Sequence, residues 1–106
     1  MEQNILQRGT TPVHSFTLPA ELAETELAAV YVTYHQGRKI VLEKGTEDVT
    51  IADGTVSVSL TQDETLLFRD GANCLIQLRL RTQNGDALAS DVISVCVRGV
   101  LKEGVI

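Results

Sequence analysis

The sequence predicts a small all-β domain whose antiparallel strands close into a sandwich or barrel. Three observations carry this. Apolar and polar residues alternate with a period of two over most of the chain, as they do in half-buried strands. Turn residues punctuate that pattern at intervals of about ten residues, the spacing of short strands in all-β folds. No strand–helix–strand alternation is long enough to build a parallel sheet.

The elements follow in order. Gln3 to Thr11 has no clear pattern; it carries Ile5 and Leu6 and then Arg8-Gly9-Thr10-Thr11, so it either pairs late or stays mobile. Val13 to Leu18 reads as a strand with Phe16 and Leu18 on its apolar side, ended by Pro19. Pro19 to Ala28 is rich in Ala, Glu and Leu, all good helix formers, and predicts a helical turn or loop, with a full helix as the alternative.

Ala29 to His35 is a strand with Val30, Val32 and Tyr34 on one face, and Ile40 and Leu42 supply the apolar face of the next. A two-residue turn at Gln36-Gly37 sets Val30 against Glu43. A three-residue loop, Gln36-Gly37-Arg38, sets Val32 against Leu42 and Tyr34 against Ile40. The second register keeps both apolar sets on one face and is preferred.

Asp53-Gly54 marks the clearest hairpin: a two-residue turn there pairs Ile51 with Val56 and Val49 with Val58, so turn chemistry and hydrophobic phase agree. Thr61-Gln62-Asp63-Glu64 matches a capping box, predicting a short helical turn that carries Leu66, Leu67 and Phe68. Cys74 to Arg81 is a long strand, with Cys74, Ile76, Leu78 and Leu80 on one face and Leu75, Gln77, Arg79 and Arg81 on the other. After Asn84-Gly85 a return strand runs to Val97 in one of two registers. A two-residue turn pairs Ile76 with Ile93 but sets Asp91 beside Leu78; a three-residue turn pairs Leu78 with Val92 and Cys74 with Cys96. The tail from Gly99 to Ile106 stays apolar enough to dock. These elements point to an immunoglobulin-like antiparallel β-sandwich of about seven strands with one or two short helical turns.

A chain of 106 residues is one domain's worth, and a domain of that size buries roughly 65% of its unfolded surface. Residues 1–106 are therefore read as one sandwich domain, with 1–11 and 99–106 as flexible or docking segments. Nine basic residues among fourteen acidic ones, a net charge of −5, argue against phosphate-neutralising nucleic-acid binding and against docking on an anionic membrane. Met1-Glu2-Gln3-Asn4 is polar and acidic where an export signal needs a basic start and an apolar stretch. Cys74 and Cys96, the only cysteines, are expected to stay as reduced thiols.

The residues offer little chemistry. His14 and His35 have no Cys or second His nearby, as zinc would need, and ordinary polar sheet positions account for both. Nothing hints at a Cys–His nucleophile with its orienting group. Asp53 and Glu64 already have turn and capping roles, so a glycosidase-like carboxylate pair has no support. The expectation is a non-enzyme without catalytic residues, metal or cofactor. The candidate interaction face consists of Tyr31, the strip Gln77, Arg79 and Arg81, and the apolar Val105 and Ile106; for the strip by itself a plain solvated outer face is the favoured reading.

Arg8 to Pro19, Val32 to Gly37, Leu60 to Phe68, Ile76 to Arg79 and Gly85 to Asp91, in that order and spacing, resemble small proteins encoded in prophages of Gram-positive gut bacteria. The stretch Leu60 to Leu66 also resembles, more loosely, the N-terminal β domain of phage baseplate upper proteins. The resemblance implies a structural or interaction module of a phage particle, from the tail or baseplate region. It would be made in the bacterial cytoplasm and carried into the virion without a signal peptide. Its partners would be other virion proteins or itself as a homo-oligomer, with neither nucleic acid nor membrane. The alternative is a carbohydrate or cell-surface recognition module, for which an exposed Tyr31 beside Gln77 or Arg79 is expected. No functional residues carry over from the resemblance.

Overall fold

The structure, a computed structural model, describes residues 5–23 and 27–106. Two sheets face each other. The larger contains β1 (Ile5–Gln7), β3 (Leu27–Gln36), β4 (Lys39–Lys44), β7 (Asn73–Thr82), β8 (Ala87–Ala89) and β9 (Ile93–Arg98), in the order β1-β9-β7-β3-β4 with β8 beside β7. The smaller contains β2 (Val13–Thr17), β5 (Val49–Ala52) and β6 (Thr55–Ser59), in the order β2-β6-β5. Two four-residue helical turns, α1 (Ala20–Ala23) and α2 (Gln62–Thr65), and a 3-10 turn at Thr46–Asp48 connect them.

The fold is an immunoglobulin-like β-sandwich. β9, β7, β3 and β4 take the places of the G, F, C and C′ strands, and β2, β6 and β5 those of B, E and D. β1 adds a parallel strand to β9, with Leu6 opposite Val97. Among the described residues there are nine strand segments rather than about seven, because β1 is a strand and the return strand is split into β8 and β9.

The core lies where the two inner faces meet. Phe16, Val56, Val58 and Leu60 on one side pack against Val30, Val32, Tyr34, Ile76, Leu78 and Val97 on the other. Burial of such side chains stabilises the fold by about 1.5–3 kcal/mol each. In antibody domains a disulfide joins the sheets beside a Trp. Here β2 carries no cysteine, and a hydrogen bond between His14 Nδ1 and the Tyr34 hydroxyl crosses the gap at 2.6 Å, with Phe68 edge-on to the Tyr34 ring.

The Asp53-Gly54 hairpin has the expected register, with Ile51 opposite Val56 and Val49 opposite Val58. Asp53 and Gly54 both adopt positive φ, +52° and +74°, as a type I′ turn requires. The capping box also forms: Thr61 Oγ1 accepts from Glu64 N at 3.1 Å, and Glu64 Oε1 accepts from Thr61 N at 2.8 Å.

The expected β3–β4 register is not made, and of the two registers left open for the β7 hairpin the Ile76–Ile93 pair forms while the Cys74–Cys96 pair does not. The β3–β4 turn is Gly37-Arg38, both with positive φ, and Gln36 pairs with Lys39. A bulge at Val41 then shifts the phase, so that Tyr34 faces Leu42 and Val32 faces Lys44; the expected Val32–Leu42 and Tyr34–Ile40 pairs are not made. A basic residue is tolerated on the inner face because its ammonium reaches the Glu64 carboxylate at 2.7 Å. Gln36 is a buried strand end, where its side chain bonds to the backbone of Arg69 and Ala72.

In the β7 hairpin, Gln83-Asn84-Gly85 form a three-residue loop, and an extra residue around Ser90 to Val92 brings Ile76 opposite Ile93. The Ser90 hydroxyl accepts from Leu78 N at 3.0 Å, which satisfies the strand where the ladder breaks and leaves Asp91 exposed. Cys74 therefore faces Val95 in the core, while Cys96 lies exposed opposite Asn73; both are free thiols.

The segment Gln3 to Thr11, left without an element above, holds β1 from Ile5. Arg8 fixes its end. The backbone N of Arg8 donates to Arg98 O, its Nε and Nη2 donate to the carbonyls of Phe68 and Leu66 just after α2, and its guanidinium pairs with Glu103 of the tail. The tail is tied down again at Gln62, whose side-chain amide bonds both N and O of Ile106.

Candidate interaction face

The outer face of the larger sheet is where strand alternation displays side chains that the core does not use. On β3 these are Ala29, Tyr31, Thr33 and His35, and on β7 they are Arg81, Arg79, Gln77 and Leu75, in directly opposed pairs. On β4 the bulge turns Ile40 and Glu43 to the same side, opposite His35 and Thr33. Tyr31, the predicted aromatic, is 48% exposed beside Arg79, and its ring leans over Gly45, where a Cβ would come within 3.4 Å of ring carbon Cε1. A shallow groove runs among Tyr31, Thr33, Ile40, Glu43, Arg79 and Arg81.

The structure brings together four of the six predicted face residues. Tyr31, Arg79 and Arg81 share the groove, and Gln77 lies in the same row as Thr33, with its amide already donating to Ser90 O at 2.9 Å. Val105 and Ile106 do not join them. Both are exposed, Ile106 is anchored at Gln62 of α2, and neither lines the groove. Local apolar character placed them in the candidate set, and it carries no information about which surface a tail reaches.

Sequence reasoning missed Ile40 and Glu43. Ile40 was read as inward-facing; the bulge at Val41 turns it outward, where it is 60% exposed. Glu43 Oε2 accepts from Thr33 Oγ1 at 3.1 Å, which holds the carboxylate on the face. Among the described residues no carboxylate pairs with Arg79 or Arg81, and no cation pairs with Glu43.

The titratable groups with resolved shifts lie elsewhere. Burial pushes the Tyr34 hydroxyl well above its ordinary value and lowers His14. The Cys74 thiol is pushed up to about 11 by burial, which leaves it protonated and unreactive at neutral pH. Burial raises Glu64, but its hydrogen bonds from Lys44 and Thr61 outweigh that and hold it below the usual carboxylate value. Each of these groups has a packing or capping role. Among the described residues, no three His, Cys, Asp or Glu side chains are grouped to hold a metal ion, and no helix is long and apolar enough to cross a membrane.

No protein-family model matches the sequence, and no curated protein matches it. Among solved structures, the chain is similar to extracellular domains 3–5 of Drosophila OTK, with a TM-score of 0.36 and 14% identity over 96% of this chain, which spans 33% of that one.

Proposed function

We propose that this chain is a non-enzymatic interaction module that works by protein–protein assembly, as a structural part of a phage tail or baseplate. The observation that supports assembly is the outer face of the larger sheet. Half-exposed Tyr31, Ile40, Leu75 and Ile5 lie there among ordered polar neighbours on one rigid surface. Exposed apolar groups rimmed by polar ones mark protein interaction sites. The phage setting rests on the resemblance of the strand and turn motifs. Mass spectrometry of particles purified from an induced lysogen that encodes the chain tests it. The expected result is recovery of the chain at fixed stoichiometry with the particle. Abundant chain in the lysate and none in the particles would remove the virion role.

The Tyr31–Arg79 pairing also favours a second reading, a carbohydrate-recognition module, since an exposed ring beside hydrogen-bonding groups suits a sugar face. Glycan-array binding that Tyr31→Ala abolishes would replace the assembly reading.

A further inference from the structure

We propose that the outer face of the larger sheet takes a second copy of this chain in a two-fold face-to-face dimer centred on Tyr31. This deepens the assembly reading and rests on it. The face is complementary in charge to its own image. Tyr31 lies on β3, between β7 and the edge strand β4; Arg79 is directly beside it on β7, and Glu43 lies on the opposite flank, on β4, beside Thr33. Neither Arg79 nor Glu43 has an ion-pair partner among the described residues.

An isologous interface needs this kind of pattern, because each patch must complement its own image. A two-fold axis between the two faces and parallel to β3 turns the β7 side of one copy over the β4 side of the other. Arg79 of each copy then lies over Glu43 of the other, and the two Tyr31 rings meet at the centre. The offset along the strand is two residues, about 6.6 Å, within reach of an arginine side chain.

The strands that overlap under this axis, β7, β3 and β4, offer a face of about 400 Å2 per copy, the size of a weak, concentration-dependent contact.

The test is absolute mass by light scattering behind a sizing column, over a hundredfold range of concentration, for wild type, Tyr31→Ala, Glu43→Arg and Arg79→Glu. All three positions face outward, and circular dichroism and thermal melts confirm that each variant is folded. Wild type is expected to dimerise with concentration. Each charge reversal acts twice per dimer and is expected to weaken association by about tenfold or more. Mixing Glu43→Arg with Arg79→Glu is expected to restore a dimer, because both cross-copy pairs become opposite in charge again. An oligomer indifferent to all three substitutions would overturn this face and leave the assembly reading standing. A monomer at every concentration would overturn the second copy as occupant, while recovery of the chain in purified particles still decides the assembly reading.

Discussion

His14 Nδ1 and the Tyr34 hydroxyl meet at 2.6 Å across the gap between the two sheets. Tyr34 is fully buried, and its hydroxyl would be a costly polar group in the core without that bond. Tyr34→Phe removes the hydroxyl and leaves the His14 nitrogen partly buried without its partner. The expected loss of stability is about 1–2 kcal/mol, read from urea denaturation at pH 7.5.

The same pair makes stability depend on pH. Burial lowers His14 below its ordinary 6.5 in the folded chain, so the unfolded chain takes up the proton first. The contribution is complete above about 6.5 and is lost as pH falls from there to the folded value. His14→Gln, which keeps a hydrogen-bonding group and removes the titration, is expected to flatten that part of the stability curve. A wild-type curve with no slope below 6.5 would contradict the assignment.

Arg38 adopts a φ of +69° in the β3–β4 turn, a conformation that L side chains disfavour. Arg38→Gly relieves that strain and is expected to stabilise the domain by about 0.5–1 kcal/mol after the greater freedom of the unfolded chain is counted. Gly54→Ala, at a φ of +74° in the other I′ turn, is expected to act in the opposite direction. Denaturant midpoints compared at constant slope decide both.

Leu6 is 1% exposed although its strand is three residues long. Leu6→Ala is expected to cost about 2–4 kcal/mol, measured by thermal or chemical unfolding. A loss below half a kilocalorie would show that β1 contributes little to the core.

The two thiols differ in access. In dilute folded protein Cys96 is expected to react with a maleimide while Cys74 does not, and denaturant is expected to expose both. Peptide mapping by mass spectrometry identifies the labelled site. Labelling of Cys74 at the rate of Cys96 would contradict the register of β7 and β9.

Much of the strand architecture was legible in the residues because its causes are local. Asp53-Gly54 selects a turn type, the turn type sets the pairing of Ile51 with Val56, and the alternation of the flanking residues agrees with it. Thr61 and Glu64 are three residues apart, so their reciprocal cap needs no distant partner. The inner face of β7, from Cys74 to Leu80, follows from period two alone.

The tertiary structure decided what depends on distant neighbours. Ile5–Gln7 becomes a strand because β9 offers a parallel edge and the core takes Leu6; its own three residues carry no period to read. The bulges at Val41 and around Ser90 arise where the hairpin turn and the facing sheet demand different phases. A single extra residue reconciles them and flips every side chain beyond it. That is why Ile40 and Glu43 stand beside Tyr31 on the outer face, and why Cys74 and Cys96 lie on opposite sides of the sheet. Local chemistry chose the strands and their turns, and packing between the sheets chose which side chains share a surface.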